Sequence, residues 1–434
     1  MEVVTLNWNQ VVTLNWNWVV NMTGICINGE YSKEKSITEN KTIFNLSTRK
    51  ELAKIKKEEK IAISEEVILN LELLSILSSA TEKTQKPYIK RTLDLFERVT
   101  SVSDPISYFQ NKLRKIIFDI LTMANKPIAY QLIDYIIQIL EGDGELHSEF
   151  YKVIEWHNKL LYFQEKGTSN GPLTDIKKRD NPLYNSVSNY EFPQNCLEKI
   201  IHFLYLQITY DMFSDKAQLD HLSPAINKLK SKSKDLEKVF NFESISKDIF
   251  GKDNNFVVIN LNDVNLDIKK TLPLILSKHI YDNHKLKKDL SDKNYLNIII
   301  DEAHNILSFN SERESETWKD YRLETFEEII KEGRKFGVFL TLASQRPSDI
   351  SSTIISQLHN YFLHRLINNK DIEAVERTIS YLDKVSFDSL PILPTGTCIL
   401  AGLSAQLPVV IEINELEEEF QPNSKTIKPT DFWN

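Results

Sequence analysis

Six short runs after Phe250 decide the fold class. "NFVVINL" (255–261), "YLNIIID" (295–301), "GVFLTLASQ" (337–345), "YFLHRL" (361–366), "TCILAG" (397–402) and "PVVIEI" (408–413) are compact and apolar. Several are apolar on successive residues, the pattern of a strand covered on both faces. Between them lie helical stretches: "IKKTLPLILSKHIYDNH" (268–284), "YRLETFEEIIKEGRKF" (321–336) and "NKDIEAVERTI" (369–379). Strands alternating with helices specify a mostly parallel α/β sheet, here of five or six strands. "TGICINGEYS" (23–32) adds a short buried strand that leaves into a Gly turn.

From Ile63 to Phe250 the period is helical instead. "SEEVILNLELLSILSSA" (64–80) opens with a Ser followed by acids and then apolar residues at three- and four-residue spacing, a helix-start signature. "DPISYFQNKLRKIIFDIL", "IAYQLIDYIIQILEG" and "NCLEKIIHFLYLQITYDMF" continue the pattern. "EKGTSNGPLTDIKKRDNPLYNS" (165–186) reads as a polar Gly/Pro loop, and "NKLKSKSKDLEKV" as a solvated helix face. The plan is a strand, a long helical insertion, then an α/β core. At the front, "VVTLNWN" occurs at 3–9 and again at 11–17, too short a repeat for a solenoid and read as a local duplication.

Composition narrows the classes. A chain of 434 residues holds two to three domains. The formal charge of -8 argues against a nucleic-acid binder held by bulk positive charge, though a ring with a locally basic channel stays open. Cys26, Cys196 and Cys398 lie far apart without metal-ligand spacing and read as free thiols of a reducing compartment. No run reaches the roughly 18 apolar residues of a membrane span. The start lacks a basic n-region, so the expectation is cytoplasmic.

Ligands of a parallel sheet sit beyond the carboxyl ends of its strands. Asp301 and Glu302 follow the run "LNIII" at such an end. A carboxylate there can hold magnesium, and the next can polarise a water for attack on a terminal phosphate. Solvated acids in a strand-end turn are the competing reading. The next strand ends "LASQRP", which puts Gln345 within reach of the same crevice, where an amide can bond a phosphate oxygen or orient the water. Arg334 in "EGRKFG" either offers its fork of donors to phosphate or stands as a helix C-terminal cation, with Lys335 the competing choice. His304 reads as a packed or surface histidine rather than a ligand. A phosphate loop, G-x-x-x-x-G-K-[ST], is absent: the only Gly-Lys pair is Gly251-Lys252, with Ser246 where the first Gly belongs and Asp253 after the lysine.

Taken together, "IIIDEAHNIL", "IIKEGRKFGVFLTLASQRPSDISSTIISQLHNYFLHRL" and "LPTGTCILAG" resemble the HerA ATPases of the FtsK–HerA group over about 255 to 413. "INGEYS" (27–32) resembles that family's strand-two motif, normally Asp-x-x-Gly-Glu-Tyr, and "SSATEKTQKPYIKRTL" (78–93) its signature in the inserted helical domain. The resemblance implies an α/β RecA-like core with a large α-helical insertion. The layout it implies is a leader at 1–22, core at 23–62, helical insertion at 63–250, core at 251–414 and a tail at 415–434. It implies ATP and Mg2+ as cofactors, with Asp301 and Glu302 as the Walker B pair, Asp301 holding the metal, and Gln345 as sensor. Arg334 would be the trans-acting finger, and Glu30 would approach the nucleotide. It also implies a hexamer, double-stranded DNA in a central channel, and a nuclease or other effector as partner, in DNA repair or phage defence.

The family's barrel, first core strand and phosphate loop would all precede Ile25, where the leader stands. The expectation is a chain lacking the front of such a motor, binding ATP weakly and hydrolysing it negligibly alone. Two alternatives stand beside it. One is a non-catalytic oligomerising or partner-binding remnant; the other is an unrelated α/β binding protein. DNA contact is expected through phosphates, with "HKLKKDLSDK" (284–293) as a candidate or a solvated loop.

Overall fold

The computed structural model describes residues 22–27, 40–140, 144–168, 171–214, 219–243, 249, 255–287, 295–309, 316–380 and 382–417. The leader before residue 22, Glu30, Gly251-Lys252, most of the lysine-rich 284–293 segment and most of the acidic tail lie outside the described residues. The chain divides into two compact units, one of residues 1–63 with 235–434 and one of 64–234.

In chain order the strands are β1 (Met22–Ile27), β2 (Lys41–Ser47), β3 (Ile61–Ser64), β4 (Ile154–His157), β5 (Tyr162–Glu165), β6 (Phe240–Glu243), β7 (Phe256–Asp263), β8 (Tyr295–Ile300), β9 (Val338–Leu342), β10 (Asn360–Leu363), β11 (Thr397–Gly402) and β12 (Ala405–Glu412). The first unit is built on a five-stranded sheet in the order β2-β7-β1-β8-β9. All its pairings are parallel, as the alternation of strands and helices requires. The α/β expectation therefore holds. Central β1 and β7 are dry: Ile25, Cys26, Ile27, Val257, Val258 and Ile259 are fully buried. Helices Leu266–Lys287 and Glu316–Phe336 supply the crossovers. Toward β9 one sheet face opens: Val338 is buried, while Phe339 and Thr341 are exposed.

Several details differ from the sequence reading. β2 was unread, because "KTIFNLS" is short and polar at both ends. β10, β11 and β12 do not join the parallel sheet; they form a separate antiparallel sheet. An apolar run reports burial, not its partner or direction, so the periodicity could not separate the two sheets. The third difference lies at 165–186, read as one loop. It holds the end of β5 and two short helices, Asp175–Arg179 and Pro182–Ser186. Each helix is capped by a polar side chain: Thr174 accepts from Lys177 N–H, and Asn181 from Tyr184 N–H.

The second unit is helical. Its centre is helix Cys196–Phe213, capped by Asn195 and buried on most sides through Leu197, Ile200, Phe203, Leu204, Leu206 and Ile208. The chain places apolar residues all round this helix, which forces it inside. Helix Gln85–Thr100 packs on it through Phe96 against Phe203 and through Tyr88, whose hydroxyl donates to the Leu204 carbonyl. Arg91 of the same helix forks onto Asp211, which also accepts from Gln207.

Candidate active site at the end of the parallel sheet

The site begins where β8 stops. Its alternate residues Leu296, Ile298 and Ile300 are buried, which fixes the strand rigidly in the sheet. After Ile300 the turn is tied to both neighbouring strands. Asp301 N–H donates to the Ile27 carbonyl at the end of β1 (3.1 Å), and Ala303 N–H to Ala343 just beyond β9 (2.8 Å). Ala343 N–H in turn donates to Ile300 (2.9 Å). Three strand ends thus hold the turn that carries both acids.

The two acids differ in surroundings. Asp301 is 7% exposed, and its Oδ1 accepts from the Glu302 N–H at 2.9 Å. Beneath it, the buried Cys26 thiol is pushed far above its ordinary value by desolvation and then by the Asp301 charge. Glu302 is half-buried and adopts φ of 49°, the left-handed region rare for a side-chain-bearing residue. Such geometry costs about 1–2 kcal/mol and persists where surrounding contacts impose it.

Both Glu302 oxygens are engaged. Gln345 Nε2 donates to Oε1 at 3.0 Å. His304 Nδ1 lies 3.2 Å from Oε2, and also 3.2 Å from Ser344 Oγ. Ser344 Oγ accepts from Arg346 N–H at 3.0 Å. Asp301, Glu302 and Gln345, singled out in the sequence, therefore converge at one sheet end. His304, read in the sequence as a packed or surface histidine, and Ser344, which was not singled out, join them. The only sequence signal was their place, one beside each singled-out group on adjacent strand ends.

Arg334 is not brought to this cluster. It is exposed near the C-terminus of helix Glu316–Phe336, before the turn at Gly337 into the start of β9, at the opposite end of that strand. Lys335, the competing cation, pairs with Glu332. Glu30 lies outside the described residues, so its approach is not placed.

The donor set fits magnesium in one restricted sense. Mg2+ usually takes one or two carboxylates and completes its octahedron with water and phosphate oxygens. Asp301 supplies one such carboxylate, while the Glu302 oxygens already face Gln345 and His304. Among the described residues no group of three His, Cys, Asp or Glu side chains forms a self-sufficient metal cage. The triphosphate is another matter. Its cradle is a glycine-built loop of backbone N–H groups with a lysine, and the sequence carries no such motif.

No protein-family model matches the chain. Among curated proteins it is similar to the DNA double-strand break repair helicase HerA of Sulfolobus acidocaldarius, 26% identical over 324 residues, covering 65% of this chain and 64% of that protein. The HerA helicase of Sulfurisphaera tokodaii is 27% identical over 56% of this chain and 47% of its own length. A third, of Saccharolobus solfataricus, is 33% identical over 27% of this chain and 22% of its own length. The chain thus spans less than two thirds of these relatives. Among solved structures, VirB4 of Thermoanaerobacter pseudethanolicus is 12% identical with a TM-score of 0.45, covering 92% of this chain and 84% of that one. The conjugative coupling protein TrwB gives 11% and 0.45 over 92% and 80%. Among the described residues, no helix is long and apolar enough to cross a membrane.

Proposed function

We propose that the chain is a subunit of a HerA-like, DNA-translocating ATPase and carries the water-activating half of its nucleotide site. The observation that carries this reading is Glu302 held by Gln345 across two neighbouring strand ends, with Asp301 buried beside it. Asp301 would hold a magnesium ion, which neutralises developing phosphate charge when bound. Glu302 orients a water and accepts its proton. Gln345 fixes the Glu302 carboxylate and offers its amide to the same crevice. Arg334, remote from its own site, serves the site of a neighbouring copy in a ring, taken as a hexamer. Double-stranded DNA would pass through the channel and be held by its phosphates, so binding weakens with salt. A nuclease or other effector is the partner. The identities with HerA helicases support this reading.

The missing glycine cradle sets its condition: this chain hydrolyses ATP only where a phosphate-binding loop is supplied to it. Carboxylates and magnesium do not replace the backbone donors that bind the β- and γ-phosphates. The test is ATPase of the purified chain, alone and after addition of a HerA segment bearing barrel, first strand and phosphate loop. The expected result is negligible turnover alone and turnover on addition, abolished by Glu302→Gln. Turnover by the chain alone that Glu302→Gln abolishes overturns the condition. No turnover in either case favours the second reading, a non-hydrolysing oligomerising module, which the absent motif also supports.

A further inference from the structure

We propose that the helical unit carries a small-anion site, a cavity among three of its helices that takes a dianion of the phosphate class. All six lining residues belong to that unit. The assignment does not depend on the function proposed above.

The cavity holds about 240 Å³. Helix Gln85–Thr100 lines it with Leu95 and Arg98, helix Pro105–Ile120 with Tyr108 and Lys112, and helix Cys196–Phe213 with Gln207 and Tyr210. Each pair lies three or four positions apart, so each helix turns one face to the same space. Leu95 and Gln207 are buried, while Arg98 and Tyr108 are exposed, so the cavity runs from packed interior to surface. Cavities for drug-sized ligands run about 300–1,000 Å³, which leaves this one to an anion of few heavy atoms.

Charge sets the ligand class. Arg98 Nε donates to the Asp94 carbonyl of its own helix at 3.1 Å, and Lys112 Nζ lies 5.2 Å from the centre of the Tyr108 ring. Among the described residues neither cation has a carboxylate partner. Asp211, which Gln207 touches, is already held by Arg91. Asp119 acts on Tyr210, so the balance of Arg98 and Lys112 against Asp119 is positive. Burial pushes the Tyr210 pKa up to about 12, with Tyr108 and Asp119 adding to the rise and Arg98 opposing it, and the hydroxyl keeps its proton. That hydroxyl is buried and has no hydrogen-bond partner among the described residues, an unfavourable state for a donor. A guanidinium fork and an ammonium from two helices suit the oxygens of one phosphate. Two negative charges on the ligand also offset the repulsion between the two cations.

The test is side-chain NMR of the intact chain, titrated with inorganic phosphate at constant ionic strength. The Arg98 Nε and Lys112 Cε signals should move together along one saturable curve. Arg98→Gln and Lys112→Gln assign those signals and keep a polar side chain at each position, so the fold is retained. Each should weaken phosphate binding by about tenfold or more. Shifts that stay linear with phosphate concentration overturn the proposal, as does an affinity unchanged in the double variant. A duplex oligonucleotide, whose diester phosphates carry single charges, should not displace phosphate from these residues. Displacement by it overturns the small-anion assignment and makes the two cations a nucleic-acid-facing surface instead.

Discussion

Glu302 and Gln345 lie 43 positions apart, yet the Gln345 amide donates to the Glu302 carboxylate at 3.0 Å. The parallel register makes this possible: β8 and β9 run side by side with Ile300 opposite Leu342, so the residues just past each strand meet. Strand pairing, not local sequence, builds the pair.

The left-handed backbone of Glu302 gives a first expectation. Glu302→Gly removes the steric penalty of about 1–2 kcal/mol, partly offset by the greater freedom of glycine in the unfolded chain. Stability should be equal to or higher than that of the parent by up to about 1 kcal/mol. Glu302→Val, branched at Cβ, should cost about 1–2 kcal/mol instead. Urea midpoints of the two variants test this; a Gly variant less stable than the Val variant contradicts it.

Gly402 gives a sharper one. A Cβ there would stand 2.2 Å from the His359 carbonyl oxygen, at φ of 122°. The clash is with backbone, so no side chain can swing aside. Gly402→Ala should destabilise the first unit by roughly 3 kcal/mol or more. A melting temperature unchanged within error would contradict the close approach of β11 to the 359–360 segment.

In the helical unit, Arg91 holds Asp211, whose side chain is 2% exposed against 34% for the arginine. Arg91→Ala leaves a buried carboxylate with the Gln207 amide still donating to it. The loss should be about 2–3 kcal/mol, less than for a fully dry pair because water reaches the arginine side. Asp211→Asn added to Arg91→Ala should recover part of it, measured as a coupling energy in a double-mutant cycle.

His202 should make this unit acid-sensitive. Burial, and then the Lys230 charge, lower its pKa from 6.5 to about 4. Its Nδ1 meets the Tyr190 hydroxyl at 3.0 Å, suited to a neutral ring. The unfolded chain takes up the proton below pH 6.5, while the folded unit resists until about 4. Stability is therefore full above 6.5 and falls, by roughly 3 kcal/mol in all, as pH drops to about 4. His202→Gln should flatten that window in urea unfolding followed between those limits.

How much was legible turned on range. β7 and β8 were readable because burial on both sides writes long apolar runs, and the acids at 301 and 302 mark where β8 stops. β2 was not, since Ile43 and Phe44 sit among polar neighbours, stay partly exposed, and find their strand partners, Val258 and Ile259, only in β7. The hairpin of β4 and β5 escaped for the same reason: "IEWHNKLLYFQE" shows its alternation only once Trp156 faces Phe163. At the site, chemistry was visible but geometry was not. The positive φ of Glu302 and the meeting of His304 with Ser344 arise from three strand ends pulling on one turn.

Among the described residues β9 closes the order of the five-stranded sheet, and Phe339 stands 41% exposed upon it. A border strand of that kind is a ready seam: its outward amides and carbonyls suit any extended polypeptide that arrives, wanted or not. The 343–346 segment runs straight on from that strand, so the amide that meets Glu302 is carried at the sheet's margin rather than in its interior.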